Sequence, residues 1–296
     1  MPIPRLLLLA GAMTALSGPA PTRAELPPLI PREVLFKPAG RYSPAISPDG
    51  TLLGYVAPDA NGTANVWVEP LAGGDARQVT HDTRSGIHGF NWAYDERHIL
   101  YVQDLNGDEN WHLYAADIQT GNTRDLTPHD GIQASNILTD ANPPDLVLVG
   151  MNLRDRRYVD MHRIVISTGE TSLEAEDPGD VTEWATDHDF RIRAAVALDP
   201  ENSDTVIRVR DSLDAPWREI VRWTLPETGS VLYRKVLGFS PGGDSLLVQS
   251  THGSDMSRLV WLNAADGTEL STIAEDHIMD IWNVWWEPQV VLDPKT

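Results

Sequence analysis

The residues that could carry hydrolytic chemistry are two serines in glycine-containing strings. Gly243-Asp244-Ser245-Leu246 and His252-Gly253-Ser254-Asp255 each place a serine beside an acid. A serine nucleophile of the α/β-hydrolase type needs Gly-x-Ser-x-Gly, which presents the hydroxyl at a strained strand-to-helix turn. The sequence contains no such pentapeptide, and its nine histidines show no triad spacing. Both serines are predicted to lie in turns of a repeat, and no catalytic or substrate-binding residue is assigned.

A second candidate is a set of oxygen ligands with the spacing of a calcium loop. Asp104, Asn106 and Asp108 would occupy positions one, three and five, from which side chains converge on one hard cation. Position six is Glu109 where that loop requires Gly, and position twelve is Ala115 where it requires Glu. The sequence therefore favours a solvated hairpin turn, with structural metal binding as the alternative. No metal ligand is assigned, and no cofactor is expected.

Charge and cysteine content exclude several other functions. The chain carries 43 acidic against 23 basic residues, a formal net charge of −20, which opposes binding to a phosphate backbone. It contains no cysteine, which excludes disulfides, thiolate nucleophiles, Cys-based zinc sites and a lipid on an N-terminal Cys. Nucleic acid is therefore not expected as a partner.

Short β-branched and aromatic runs between Pro and Gly turns indicate an all-β fold with no convincing helix. The runs lie at residues 52–56, 65–68, 99–102, 111–118, 146–151, 161–166, 191–198, 205–209, 245–249 and 258–262. Turns such as Asn61-Gly62, Asn106-Gly107 and Thr120-Gly121-Asn122 join many of them. Strands this short could build a sandwich, a barrel or a propeller.

A regular spacing of turn glycines decides between these folds. The series consists of Gly73, Gly121, Gly169 and Gly267, with two steps of 48 residues and a last interval of 98 that leaves room for one diverged unit near Trp217-Arg218. Independently, Ser47-Pro48-Asp49-Gly50 returns as Ser240-Pro241-Gly242-Gly243, about four steps later. A four-stranded repeat of this length is typical of a β-propeller blade. The sequence therefore predicts an all-β propeller with about five to six four-stranded blades.

Several segments, taken in order, resemble a known family. Ser47 to Tyr55 is similar to the Ser-Pro-Asp-Gly repeat of TolB-type propellers. The more specific segments are 30–36 (IPREVLF), 76–82 (ARQVTHD), 104–114 (DLNGDENWHLY) and 124–128 (RDLTP). In that order they resemble the N-terminal β-propeller of the prolyl oligopeptidase (S9) family of serine peptidases. The resemblance is to its acylaminoacyl-peptidase and dipeptidyl-peptidase-like bacterial members.

The resemblance implies a seven-bladed propeller that caps a C-terminal α/β-hydrolase domain and restricts the access of peptides. On this interpretation residues 25–40 are a lead-in, residues 41–296 are a partial propeller, and the hydrolase domain is absent from the sequence. Propellers of dipeptidyl peptidases in the family hold a substrate amine with paired glutamates. In this sequence the acidic pair is Asp108-Glu109, not two glutamates, and it lies in a hairpin of the repeat. The amine-binding role is therefore not assigned to it, and the pair is expected to be part of an anionic surface.

The first 24 residues have the pattern of a secretory signal. Arg5 precedes an apolar run at residues 6–16, and small residues lead to Thr22-Arg23-Ala24. The run is too short for a membrane-spanning helix, which needs about 20 residues. Secretion without disulfides indicates a bacterial periplasm, so a secreted or periplasmic location is predicted, with no membrane span.

Two functions follow as expectations. The first is the non-catalytic, substrate-gating propeller of a secreted S9 peptidase, whose peptide substrates are met through a hydrolase domain. The alternative is a TolB-like periplasmic propeller that binds a protein without catalysis. The ten tryptophans are predicted to pack between blades, but Trp282, Trp285 and Trp286 would form an exposed apolar patch if a following blade is missing.

Overall fold

The computed structural model describes residues 29–35, 40–228, 235–281, 283–284 and 287–288. Contacts divide the chain into two units, Met1–Ala39 and Gly40–Thr296. In the first unit the described element is one helical turn, α1 (Arg32–Leu35). The predicted leader, most of the lead-in, and Trp282, Trp285 and Trp286 lie outside the described residues.

The second unit consists of antiparallel sheets, five of them four-stranded, which confirms the predicted all-β propeller-type fold. Blade 1 contains β1 (Tyr42–Ile46), β2 (Leu52–Pro58), β3 (Ala64–Pro70) and β4 (Arg77–Gln78). Blade 2 contains β5 (Asn91–Trp92), β6 (His98–Gln103), β7 (His112–Asp117) and β8 (Thr123–Asp125). Blade 3 contains β9 (Ala134–Thr139), β10 (Leu146–Met151), β11 (Asp160–Val165) and β12 (Thr171–Ala175).

Blade 4 contains β13 (Val181–Thr186), β14 (Ile192–Leu198), β15 (Thr205–Val209) and β16 (Arg218–Trp223). A helical turn, α2 (Leu225–Thr228), follows it. Blade 5 contains β17 (Lys235–Phe239), β18 (Ser245–Ser250), β19 (Arg258–Asn263) and β20 (Glu269–Ala274). A short pair, β21 (Asn283–Val284) with β22 (Glu287–Pro288), follows blade 5 in the chain. No helix in the described part of the chain is long and apolar enough to cross a membrane.

Each blade is a meander whose strands pair antiparallel in chain order. The turns between strands 1 and 2 and between strands 3 and 4 therefore lie at one end of each sheet, here called the turn face. The loops between strands 2 and 3, and the connections between blades, lie at the opposite end, here called the loop face. Strand 1 of blade 1 begins at the loop face, and strand 4 of blade 5 ends there.

Apolar clusters lie between consecutive blades, because a small sheet must bury both of its faces against neighbours. Each of the four interfaces between the five blades has one cluster. Representative pairs, from the first interface to the fourth, are Val66 with Ile99, Leu113 with Val149, Leu148 with Ile192, and Val196 with Leu246. The core is thus a series of layers, each shared by two adjacent blades.

The repeated motifs of the sequence are turns of these blades. The four predicted glycines follow the third strand of blades 1, 2, 3 and 5, with φ between 72° and 96°. A left-handed φ of this kind favours glycine. Blade 4 is the diverged unit, and Trp217 lies in its corresponding connection.

The Ser-Pro repeat also has a structural explanation. The hydroxyl of Ser47 accepts the amide hydrogen of Leu52 at 2.9 Å, and the hydroxyl of Ser240 accepts that of Ser245 at 3.2 Å. Each serine also donates to a nearby carboxylate, Ser47 to Asp49 at 2.5 Å and Ser240 to Asp244 at 2.8 Å. The motif therefore closes the turn from strand 1 to strand 2.

Candidate functional site

The two serines that lie beside an acid in the sequence are both in blade 5, one at the start of a strand and one in a loop. Ser245 is the first residue of β18, and its hydroxyl lies 3.4 Å from a carboxylate oxygen of Asp244. Ser254 lies in the loop before β19, where its hydroxyl accepts the amide hydrogen of Met256 at 3.2 Å. The structure thus places the first on the turn face and the second on the loop face, at opposite ends of one sheet.

The candidate calcium segment is the loop-face hairpin between β6 and β7. The Asp104 carboxylate accepts the amide hydrogen of Glu109 at 3.1 Å, and Asp108 accepts those of Leu105 and Asn110 at 3.2 and 3.1 Å. These bonds use the carboxylates to hold the loop together. Within the residues described by the structure, no group of three or more His, Asp or Glu is arranged to hold a metal ion.

The acidic pair within this hairpin has two separate environments. The side chain and backbone amides of Asn110 donate to Asp108 and hold the pKa of Asp108 below its usual range. Glu109 has a left-handed φ of 58° and is exposed. Asp108 is therefore part of the turn, and Glu109 is the exposed acid beside it. Arg84 donates to the side-chain oxygen of Asn106 at 3.1 Å, which adds a positive charge to the same loop.

Four of the seven tryptophans that the structure describes, Trp92, Trp184, Trp217 and Trp223, contribute to the packing between blades. Trp92 is in the buried cluster between blades 1 and 2. Trp184 is in the cluster between blades 3 and 4, and Trp217 packs against it. Their rings are 5.8 Å apart between centroids and inclined at 47°.

A buried charge network, which was not predicted from the sequence, lies between blades 3 and 4. The side chains of Arg163 and Glu174 are 10% and 2% exposed. Arg163 donates through Nε and Nη2 to the two carboxylate oxygens of Glu174 at 2.9 and 3.1 Å. It also donates to the carbonyl of Phe190, and the amide of Ile192 donates to Glu174 at 3.2 Å. Strands of blade 3 are thereby tied to the first hairpin of blade 4.

Arg210 extends the network from blade 4. Its guanidinium donates to the carbonyls of Ile192 at 2.8 Å, Leu213 at 3.0 Å and Glu174 at 3.0 Å, and it stacks over the ring of Trp217 at 4.6 Å. Burial disfavours its charged form and lowers the pKa of Arg210. Because all its described partners are carbonyls and a ring, this cation is held by dipoles and not by a direct ion pair.

A second ion pair lies at the loop face of the same interface. Arg154 donates through Nε and Nη2 to Asp160 at 2.7 and 2.8 Å, and the amide of Asp177 donates to the same carboxylate at 2.8 Å. Burial of Asp160 opposes its ionisation, but these hydrogen bonds outweigh the burial and lower the pKa of Asp160. The charged pair therefore fixes the connection from blade 3 to blade 4.

Known proteins share this architecture. No family model matches the chain. Dipeptidyl aminopeptidase BIII of Pseudoxanthomonas mexicana is 30% identical over 266 residues, which are 88% of this chain and 37% of that protein. The chain is homologous to the dipeptidyl peptidases of the S9 family.

Dipeptidyl peptidase family member 6 of Caenorhabditis elegans supports the same assignment. It is 31% identical over 201 residues, 66% of this chain and 27% of that protein. The chain thus spans about a third of the length of these S9 relatives. Among solved structures, dipeptidyl peptidase 4 of Porphyromonas gingivalis superposes with a TM-score of 0.55 at 14% identity, covering 80% of this chain and 39% of that one. This likeness shows the shared propeller fold.

Proposed function

We propose that this chain is the non-catalytic propeller portion of a secreted S9 serine peptidase, where it gates the access of peptides to a catalytic α/β-hydrolase domain. One observation carries the proposal. The match to the dipeptidyl aminopeptidase includes 88% of this chain but 37% of the relative. The region shared with that peptidase is all-β, and the rest of the relative has room for the domain that performs catalysis.

The topology indicates which face meets that domain. Strand 1 of blade 1 begins at the loop face and strand 4 of blade 5 ends there, so a domain joined at either end of the blades starts from that face. It would lie over the strand 2–3 loops, among them the hairpin with Asp108 and Glu109. Peptides would reach it past these loops, whose ionised carboxylates disfavour polyanions.

Secretion forms part of the proposal and rests on the leader pattern of residues 1–24. Expression of the full chain in a Gram-negative host should yield a periplasmic product whose first residue is Glu25. Mass spectrometry of the periplasmic and cytoplasmic fractions checks this. A product retained in the cytoplasm with residues 1–24 intact would overturn the secretion proposal and leave the peptidase relationship standing.

The catalytic part of the proposal is tested with a serine-reactive fluorophosphonate probe. The 296-residue chain should neither be labelled nor hydrolyse dipeptide p-nitroanilides. The protein encoded by the reading frame continued past codon 296 should do both, through a Gly-x-Ser-x-Gly in the added sequence. Labelling of the 296-residue chain would contradict the proposal, and so would a natural stop codon followed by unrelated sequence.

Gating is tested on the longer protein with substrates of different size. A dipeptide p-nitroanilide should be cleaved rapidly, and a folded protein should resist cleavage because the propeller excludes it. Equal turnover of both per cleavable bond would show that the blades do not restrict access.

A further inference from the structure

A cavity of about 370 Å³ opens on the side of blade 4 that faces blade 3, and it is lined by residues of blade 4 and by Pro178 of the connection between the two blades. Its apolar walls are Val181, Trp184, Ala195 and Trp217. Arg208 and Glu219 contribute polar groups to its lining. This volume is within the range of small-ligand sites, which are apolar with a few placed polar groups.

The cavity exists because blade 4 has a small residue where two other interfaces have large ones. Ala195 on β14 faces blade 3 and packs in the cluster with Leu148. The corresponding strand 2 positions facing the preceding blade include Ile99 in blade 2 and Leu246 in blade 5. The missing side-chain volume is only partly replaced by Trp184 and Trp217, so aromatic surface borders an open space.

The indoles present a surface suited to a planar cation. Trp184 is 8% exposed, and Trp217 is half-buried with Arg210 stacked over its ring at 4.6 Å. The indole of Trp217 therefore already stacks with one guanidinium, that of Arg210, in the interior of the same interface. Guanidinium groups stack on aromatic faces and are less strongly hydrated than ammonium groups.

The charges around the cavity favour a cationic ligand. Arg208 is paired through both nitrogens with Asp180, at 2.8 and 2.5 Å. Arg222 contacts a group of three carboxylates, those of Asp199 at 2.8 Å, Asp204 at 3.6 Å and Glu219 at 2.8 Å. Four carboxylates thus face three guanidiniums, those of Arg208, Arg222 and the Arg210 stacked on Trp217, an excess of one negative charge around the cavity. A positive group is attracted to such a surface.

We propose that this cavity binds an arginine side chain of an extended peptide segment. The aliphatic stem of the arginine packs on Trp217 and Trp184. Its guanidinium meets the exposed side of the Glu219 carboxylate, whose oxygens also accept hydrogen bonds from Arg222 at 2.9 and 2.8 Å. The site requires no catalytic domain, so it goes beyond the gating function and gives the propeller a peptide anchor of its own. Its ligand class is a basic peptide.

The test titrates the 296-residue chain with the peptide acetyl-Gly-Arg-Gly-amide and follows the indole N–H resonances by ¹H–¹⁵N NMR. The resonances of Trp184 and Trp217, assigned with the Trp184→Phe and Trp217→Phe variants, should shift in a saturable manner. The same peptide with neutral citrulline should bind at least about tenfold more weakly, because it lacks the cation that stacks on the indoles. Equal binding of the two peptides would overturn the proposal.

Two variants separate the cavity from general charge attraction. Ala195→Leu fills the cavity and should abolish the shifts, while Glu219→Gln should weaken binding about threefold. The matched control is Glu69→Gln, which removes an acid of blade 1 and should leave binding unchanged. Retained binding in a folded Ala195→Leu variant, or an equal loss in Glu69→Gln, would contradict the site. A lysine peptide that binds as tightly as the arginine peptide would contradict the assignment to arginine.

Discussion

The interface between blades 4 and 5 and the interface between blades 3 and 4 solve one packing problem with different residues. The first has a mainly aliphatic core, with Val196, Leu246, Val248 and Val260 all at most 2% exposed, and its Lys235–Glu183 ion pair is about a third exposed. The second combines a small residue, two tryptophans, a buried Arg–Glu pair and an open cavity. Both hold neighbouring sheets together, but the second also keeps polar groups that a ligand can use.

The difference shows that interfaces between blades of the same repeat can be stabilised by different kinds of interaction. Apolar burial is insensitive to geometry and tolerates changes of similar volume. A buried ion pair contributes little net stability but is very costly to leave half-formed. The 3–4 interface is therefore specific and sensitive to charge, whereas the 4–5 interface is the more robust of the two.

The largest expected effect breaks the charged interface. Glu174→Gln leaves the 10%-exposed Arg163 without its carboxylate, which should cost about 3–5 kcal/mol of the free energy of unfolding. Urea denaturation followed by circular dichroism measures it. Glu219→Gln is the control, since it alters an exposed pair of the neighbouring blade 4 and should leave stability close to that of the wild type. Equal stability of the two variants would remove the distinction between the interfaces.

The next prediction tests the aliphatic interface. Leu246→Ala removes a fully buried side chain and should cost about 2–5 kcal/mol through lost burial and the cavity left behind. Leu246→Met, which keeps the volume, should cost less than about 1.5 kcal/mol. The same urea titration gives both values. A large loss for Leu246→Met would show that this interface also depends on exact shape.

Adjacent alanines on β14 give a sharper comparison, because they face different interfaces. Ala194 is 0% exposed in the blade 4–5 cluster, so Ala194→Leu should overpack it and cost about 1–3 kcal/mol. Ala195 borders the cavity on the opposite side of the sheet, so Ala195→Leu should cost clearly less or stabilise the protein. Thermal unfolding of the two variants decides this. The reverse order would mean that the cavity does not accommodate a larger side chain.

The smallest effect concerns pH. The folded-state pKa of Asp160 is lowered, so its stabilising contribution is present above the unfolded value near 3.8 and is lost as pH falls through the folded value. Arg154→Leu should raise that folded pKa and flatten the loss of stability below about pH 4. Unfolding free energies at pH 3 and pH 7 measure the slope. An unchanged slope would indicate that Arg154 does not tune Asp160.

The inner strands of each blade could be predicted from the sequence better than its edge strands. All ten predicted strand runs correspond to strands 2 and 3 of the five blades, which are buried and regularly patterned. Strands 1 and 4 were missed because they are edge strands. β4 and β5 contain two residues each, and the pairings of β1 and β9 are interrupted by irregular register. Such strands owe their conformation to a neighbouring strand more than to their own residues.

The buried network could not be predicted in the same way. Arg163 and Glu174 stand on different strands, and Arg210 comes from the next blade. The arginine in the run DMHRIV would be predicted from the sequence to face solvent. In the structure the adjacent blade covers it. One signal was present, since the diverged blade near Trp217 interrupts the glycine series at the interface that holds both the network and the cavity.

The nearest-neighbour arrangement of the clusters has a consequence for synthesis. Each blade is continuous in the chain, and its cluster involves only the blade before and the blade after it. Contacts between adjacent blades can therefore form in the order of translation, while later blades are still inside the ribosome. Nascent chains released after successive blades should gain protease resistance stepwise. The buried network between blades 3 and 4 can form only after residues 192–210 have been synthesised. At that step Arg163, Glu174 and Arg210 must make their hydrogen bonds before blade 4 shields them from water.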